Sequence, residues 1–416
     1  MRVAILEPEP GVKGPTAWAF RLRYGFQQLG HECDVVSFTK SGKTRASWGK
    51  PQPGGRWWSE APDVVVKTAH LVETLDTYDM IVLPEIKVPL HDKTAIKESA
   101  KTGQPVLPEY VDALRRTKTK WTTSLHGSFY PEKDIPFVPQ LLESPSRGAK
   151  LVTMSDDSAR DSNELFKSMD WIKGCMPYIP KFDIDAPITN DWTVGTSGRF
   201  IYNKGQPVVA LAGAQLPEHV TVEIWGSCSV GLGPSPTYIV YEQLRDHFGA
   251  QTKRYAQRVD PTKGADGNII TPYPWDARIP GHALVRYLGN YMDSAAIASR
   301  FRVHMNLTAH NFARGLVEYS SLEAADAGAM CIVPGHLSDP QFRMLVLDWY
   351  KGSPTQSRLV KEDGLEIIRK CKEAFEQCLE ISDADRFSIA KHNREVLRTR
   401  NDPRKSAEIL IESAFS

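Results

Sequence analysis

The stretch Arg2-Val3-Ala4-Ile5-Leu6-Glu7-Pro8-Glu9-Pro10-Gly11-Val12-Lys13-Gly14-Pro15 decides the fold. Four consecutive apolar residues, 3–6, make a short buried strand, and the proline- and glycine-rich segment behind them is a turn. An amphipathic stretch over 16–29, closed by Gly30, reads as a helix that starts near Pro15 or Thr16. Val35-Val36-Ser37-Phe38 is a second strand, so the first forty residues form one βαβ unit.

The same alternation continues outward. Short apolar runs at 64–66, 80–83, 121–125 and 151–154 alternate with longer segments of helical period, which predicts a parallel, doubly wound sheet. Residues 181–191 are polar, contain Pro187 and have no period, and read as a linker. Beyond it, strands are expected at 193–199, 220–225, 285–288, 304–307 and 330–333, with helices at 207–214, 237–247, 293–300 and 318–327. Helices are also expected over 362–380, 384–397 and 406–414. The segment 253–280, rich in Gly, Pro, Asp and Lys, reads as a surface insertion. The expected organisation is therefore α/β: one doubly wound unit over 1–185, a second over 186–383, and helices over 384–416 that cross back to the first. Two such units face to face leave a cleft at the C-terminal ends of both sheets, where ligands of α/β proteins sit.

Composition narrows the function. The 416 residues carry 51 Lys+Arg against 50 Asp+Glu, with 41% hydrophobic and 24% charged residues, ordinary values for a globular chain. A net charge of +1 excludes a protein that coats nucleic acid or an anionic membrane by bulk electrostatics, although not one with a local basic patch. No signal peptide and no apolar run of about 20 residues is visible, so a cytoplasmic protein without a membrane partner is expected. The six cysteines show neither Cys-x-x-Cys nor zinc-site spacing and read as buried thiols of a reducing compartment.

Three motifs carry chemistry. The turn with Gly11 and Gly14 opens a helix, so its backbone N–H groups can receive a phosphate or a sugar hydroxyl; equally, it is a tight turn that needs glycine. It is neither Gly-x-Gly-x-x-Gly nor a P-loop. In Gly198-Arg199-Phe200-Ile201-Tyr202-Asn203-Lys204-Gly205, an Arg at a strand end and a Lys five residues on can converge on one diphosphate, or form an ordinary pair of surface cations. The third is Glu318-Tyr319-Ser320-Ser321-Leu322-Glu323 at a helix start. A carboxylate there accepts from the vicinal hydroxyls of a ribose, or merely complements the helix dipole.

In this order, together with the Val222-Glu223-Ile224-Trp225-Gly226 strand, these pieces resemble a retaining, nucleotide-sugar-dependent glycosyltransferase of the GT-B architecture, two Rossmann-like domains facing across a cleft. The usual eight-residue spacing of that family's carboxylates would place the first at Gly315. The five-residue spacing instead resembles the bacteriophage DNA α-glucosyltransferases, as do Gly30-His31-Glu32, Leu125-His126-Gly127-Ser128, Met154-Ser155-Asp156-Asp157 and Ser235-Pro236. The resemblance implies Arg199 and Lys204 on the donor diphosphate, Glu323 on the ribose hydroxyls, Glu318 near the donor sugar or diphosphate, Gly226 in the donor site and His126 close to the transferred sugar. Where the family follows that histidine with an aspartate, Gly127 stands here, which shifts any acid–base role of that position to Asp156 or Asp157. It implies a nucleoside diphosphate sugar, such as a UDP-sugar, as donor; with two cations on the diphosphate, no obligatory metal is expected.

The acceptor side shows in the charges. Between Asp34 and Glu60 no acidic residue occurs, yet Lys40, Lys43, Arg45, Lys50 and Arg56 add up to +5, with Trp48, Trp57 and Trp58 among them. Cations interleaved with aromatics suit a phosphate backbone and stacked or extruded bases, though they also describe a solvated loop. Trp48, Trp57, Trp58 and Phe129 are candidate wedges. Arg115, Arg116, Lys118 and Lys120 form a second cluster. The expected activity is transfer of a hexose or pentose to the hydroxymethyl group of a modified pyrimidine in double-stranded phage DNA, by a monomer in the host cytoplasm. The alternatives are a glycosyltransferase for a cell-surface polysaccharide or small molecule, and a non-catalytic DNA-binding protein on the same scaffold.

Overall fold

The computed structural model describes residues 1–8, 14–43, 61–84, 86, 107–125, 137–154, 169–188, 191–198, 200–226, 236–255, 274–289, 294–309 and 317–416. The first half contains strands β1 (Arg2–Leu6), β2 (Glu32–Thr39), β3 (Val64–Lys67), β4 (Met80–Leu83), β5 (Lys120–Leu125), β6 (Lys150–Thr153) and β7 (Asp170–Lys173). Helices α1 (Gly14–Gln28), α2 (Leu71–Leu75), α3 (Glu109–Arg116) and α4 (Val138–Leu142) accompany them. The strands form one parallel sheet in the order β3-β2-β1-β4-β5-β6-β7. The central strand β1 is apolar from Val3 to Leu6, where both its faces are covered. Val3 and Ile5 join a cluster with Trp18 and Leu22 of α1, while Ala4 and Leu6 face Leu71, Tyr110 and Leu114 on the other side.

The second half contains β8 (Thr193–Ser197), β9 (Thr221–Trp225), β10 (Gln251–Arg254), β11 (Trp275–Arg278), β12 (Leu284–Gly289), β13 (Val303–Met305), β14 (Met330–Pro334) and β15 (Leu345–Leu347). Its helices are α5 (Gln206–Gly213), α6 (Pro236–Asp246), α7 (Ser294–Ala298), α8 (Tyr319–Ala327), α9 (Glu362–Leu379), α10 (Asp383–Arg400) and α11 (Pro403–Phe415). The order is β10-β11-β12-β9-β8-β13-β14-β15, parallel except where β11 pairs with β10 and β12. Val194, Val222, Ile224, Val303 and Met305 share a core with Val208 and Leu211 of α5 and with Ile368 and Phe375 of α9. Two mainly parallel sheets, each flanked by helices, constitute the GT-B arrangement of two Rossmann-like units facing across a cleft.

The chain passes between the halves through irregular backbone that is pinned in place. Arg394 of α10, wholly buried, donates to the carbonyls of Asp326, Ile184 and Ala186, and Arg398 donates to that of Phe182. Asp326 accepts from the Tyr178 hydroxyl at 3.0 Å and the Lys181 amide at 2.6 Å. Helix α10 packs on α8, whereas α11 lies on α1, β5 and β6. In that second contact Thr122 and Ser413 share a hydroxyl hydrogen bond and Ser413 donates to the Lys150 carbonyl.

The structure corrects the sequence reading at several edges. The segment read as an insertion over 253–280 contributes β11 and the end of β10 to the sheet: Trp275 and Ala277 alternate into the core, a two-residue signal that the Gly- and Pro-rich residues beside it obscure. Strands β7 and β15 were not anticipated, since each is a short, partly exposed sheet edge without a buried face of its own. Strand β8 ends at Ser197 and β13 at Met305, both short of the expected ends. The five described cysteines are free thiols, with Cys175 only partly buried; Cys228 lies outside the described residues. Burial pushes the thiols of Cys371 and Cys378 up to about 12.

Candidate functional site

In the second sheet the strand order reverses between β8 and β13, and the segments leaving these two strands meet at that point. Two glycines make the meeting possible. Gly226, at the end of β9 with φ 142°, passes so close to Gly198 that an added Cβ would lie 1.4 Å from the Gly198 carbonyl oxygen. Its amide donates to Gly289, and its carbonyl accepts from Tyr287. Gly205 (φ 73°) closes the turn Tyr202–Lys204 in a left-handed conformation, and a Cβ there would meet the Leu307 Cβ at 2.3 Å. Phe200, buried edge-on against Tyr287, anchors the turn from below. Lys204 is thereby delivered to the switch point immediately before α5 begins.

There Lys204 forms an ion pair with Glu318, the residue that caps the N-terminus of α8. The other carboxylate oxygen of Glu318 accepts from Asn306 at 2.9 Å and from Thr308 at 3.1 Å. Asn306 is itself held by the Thr308 amide at 3.0 Å. Burial alone would raise the Glu318 pKa, but the charge of Lys204 and the hydrogen bonds from Lys204, Asn306 and Thr308 outweigh it and hold the carboxyl below its ordinary value. Glu318 is therefore ionised at neutral pH and fixes the ammonium of Lys204 at this point. Beneath the cluster His304 of β13 is fully buried, with Nε2 3.4 Å from the Ser197 amide and, among the described residues, no hydrogen bond to Nδ1; burial pulls its pKa down to about 4, so the ring is neutral.

Glu323 lies five residues along the helix, about 140° around it from Glu318, and turns toward the first half. It accepts from Arg21 of α1 at 3.1 Å, with 11% and 7% of the two side chains exposed. The Arg21 guanidinium stacks on Tyr319 at 3.9 Å and lies 5.1 Å from the Tyr178 ring. Val317, Tyr319 and Leu322 share a core cluster with Ala17 and Trp18 of α1, so the two halves are joined here by apolar packing as well.

Of the residues singled out in the sequence, the structure thus brings Lys204 and Glu318 together, sets Glu323 against Arg21, and places Gly226 at the same strand ends. Gly14 begins α1. Gly11, His126, Arg199, Arg45, Trp48, Lys50 and Arg56 lie outside the described residues, as do Trp57, Trp58, Gly127, Phe129, Asp156, Asp157 and Gly315. Lys40 and Lys43 are exposed just beyond the C-terminal end of β2, the ligand-facing edge of the first sheet. Arg115, Arg116, Lys118 and Lys120 are elsewhere. They join α3 to the start of β5, and the six residues of β5 separate them by about 20 Å from the edge where residue 126 follows. Arg116 is paired with Asp112 at 3.1 Å. Arg21, Asn306, Thr308 and His304 were not recognised in the sequence. An Asn-x-Thr directly after a strand was the available signal for two of them; Arg21 depends on contacts 302 residues apart.

Among the described residues no group of three or more His, Cys, Asp or Glu side chains is placed to hold a metal ion, and no helix is long and apolar enough to cross a membrane. Fold and site together define a GT-B protein with a cation–carboxylate pair at the switch point of its second sheet. No protein-family model matches the sequence, and no curated protein matches it. Solved structures do. The chain is similar to Anabaena HepE in complex with UDP-glucose (13% identity, TM-score 0.57, covering 99% of this chain and 98% of that one). It is also similar to HepE with UDP, at 12% identity and TM-score 0.59, covering 99% of both chains. An alpha-glucosyltransferase in complex with UDP and a 13-mer DNA containing an HMU base matches at 14% identity and TM-score 0.52, over 97% of this chain and 96% of that one. At these identities the likeness is one of fold.

Proposed function

We propose that the protein is a retaining glycosyltransferase that moves a sugar from a nucleoside diphosphate sugar, such as a UDP-sugar, to the hydroxymethyl group of a modified pyrimidine in DNA. The observation that carries the donor half is the Lys204–Glu318 pair: a part-buried carboxylate, fixed by Asn306 and Thr308, that holds an ammonium in the turn following β8. UDP and UDP-glucose in the structurally similar proteins support that choice of ligand.

In this reading the ammonium of Lys204, helped by Arg199 and the N-terminus of α5, meets the diphosphate. As the bond from the sugar C1 to the phosphate oxygen lengthens, negative charge grows on the leaving group and these fixed cations stabilise it. The acceptor hydroxyl attacks from the face the diphosphate is leaving, and its proton passes to a phosphate oxygen. The products are a glycosidic bond of retained configuration and a nucleoside diphosphate. Glu323 serves the ribose, and His126 the transferred sugar.

The DNA acceptor rests on the acid-free stretch with three tryptophans, whose first cations, Lys40 and Lys43, are exposed at the ligand edge of the first sheet. The basic residues 115–120 lie at the far edge and take no part. A second reading, a polysaccharide acceptor, is favoured by the slightly higher TM-scores to HepE. Incubating the protein with hydroxymethylcytosine, hydroxymethyluracil and unmodified duplexes and a panel of nucleotide sugars, then weighing the digested nucleosides, separates the two. A hexose or pentose added only to a hydroxymethylated base is the expected result. Donor turnover without any mass gain on DNA would transfer the proposal to the other acceptor.

A further inference from the structure

We infer that Arg21, which belongs to the first half of the molecule, is a positioning residue for the donor site of the second: it sets the carboxylate of Glu323 for the two ribose hydroxyls and so makes recognition of the ribose conditional on contact between the halves. The inference rests on the proposed donor reading of the site. Glu323 is on α8, and among the described residues Arg21 is the one side chain that donates to it, Nη2 to Oε1 at 3.1 Å. Both side chains are nearly sealed from solvent, so a carboxylate without this partner would be a buried charge with no counter-ion and would turn outward.

Arg21 has little freedom of its own. The Tyr319 ring, 3.9 Å from the guanidinium carbon, and the Tyr178 ring, 5.1 Å away, fix the plane from which it donates. The Tyr319 hydroxyl of α8 is tied to the Pro177 carbonyl at 3.0 Å and that of Tyr178 to Asp326 of α8 at 3.0 Å, so the rings are set by reciprocal bonds between α8 and residues 177–178. With one oxygen committed to Arg21, the carboxylate still has lone pairs enough to accept from a diol. A lysine in place of Arg21 keeps the charge but loses the planar donor that stacks between rings.

The test reads ribose recognition rather than stability. Affinities of uridine diphosphate and 2′-deoxyuridine diphosphate are measured by calorimetry for the wild type, Arg21→Gln, Arg21→Lys, Glu323→Gln and the Arg21→Gln/Glu323→Gln double variant, at a temperature where each is folded by circular dichroism. The wild type is expected to prefer the ribonucleotide by about tenfold or more, the size of a hydrogen bond to a charged group. Arg21→Gln and Glu323→Gln each abolish most of that preference while binding of the deoxynucleotide hardly changes, the double variant loses no more than either single one, and Arg21→Lys is intermediate. A full preference retained by Arg21→Gln, with Glu323→Gln having lost it, overturns the role of Arg21 and leaves the donor reading standing. A wild type that binds neither nucleotide, or both equally, overturns the donor reading and this inference with it.

Discussion

Removing the ammonium of Lys204 should cost stability in a way that only a coupled, part-buried ion pair can explain. The two side chains are 16% and 18% exposed, and Glu318 keeps two neutral donors, Asn306 and Thr308, when Lys204 becomes Met. Breaking a buried pair by removing one partner costs about 3–5 kcal/mol; the residual exposure and the remaining donors reduce this to about 2–4 kcal/mol for Lys204→Met at pH 7. The sign with pH follows from the carboxylate. In the wild type its pKa lies below the ordinary value, so its contribution is present above that value and lost as the pH falls through the folded-state pKa. In Lys204→Met, burial dominates and raises the pKa, the carboxyl takes up a proton in the folded state, and the deficit relative to wild type shrinks on acidification. Urea unfolding at pH 7 and pH 5 of the wild type, Lys204→Met, Glu318→Gln and the double variant measures both effects. The double variant should be more stable than the sum of the single losses predicts, by at least about 1.5 kcal/mol of coupling. Additive losses, or a Lys204→Met deficit that does not change with pH, would refute a coupled pair.

Four further outcomes are expected. Gly226→Ala places a Cβ 1.4 Å from the Gly198 carbonyl at a backbone angle reserved for glycine, and should lose more than about 4 kcal/mol of stability or fail to fold, as thermal melting will show. Because His304 has its folded-state pKa pulled from 6.5 down to about 4, folding is penalised as the pH drops from 6.5 toward 4, to a limit of about 3 kcal/mol; His304→Gln should flatten the stability profile across that window, and an unchanged slope would contradict it. Arg394→Met strips one buried and two part-buried carbonyls of their donor and should cost about 3 kcal/mol in denaturant unfolding. Neutralising Lys40, Lys43, Arg45 and Lys50 together should weaken binding of duplex DNA and lower its salt slope by about 3–4, whereas neutralising Arg115, Arg116 and Lys118 should leave the slope unchanged.

The central strands β1 and β4 were legible because they carry uninterrupted buried apolar runs and could be read within one residue; β9 was read within one residue despite Glu223, whereas β2 begins three residues before the run expected at 35–38. Strands β7, β10 and β15 could not, since an edge strand of three or four residues shows neither a run nor a clear alternation, and the two-residue alternation of β11 is obscured by the Gly- and Pro-rich residues before it. Motif spacing located Lys204 and Glu318, but not Asn306, Thr308 and Arg21, whose roles arise only when separate loops are folded onto one point. Glu323 illustrates the same limit. Its residue type and helix position suggested a ligand, while its actual partner comes from the opposite half of the chain. Charge counting alone joined two basic clusters that strand direction assigns to opposite edges of the first sheet.

Single-turnover transfer from a UDP-sugar to a duplex carrying a hydroxymethylated pyrimidine, run side by side for the wild type and Lys204→Ala, tests the central claim most directly. The wild type should add one sugar to each hydroxymethyl group and none to unmodified DNA. Lys204→Ala should bind the duplex as tightly but transfer about 10²–10³ times more slowly, the scale on which loss of one preorganised electrostatic group acts. No sugar on any DNA from the wild type, or an undiminished rate in Lys204→Ala, would contradict the assignment.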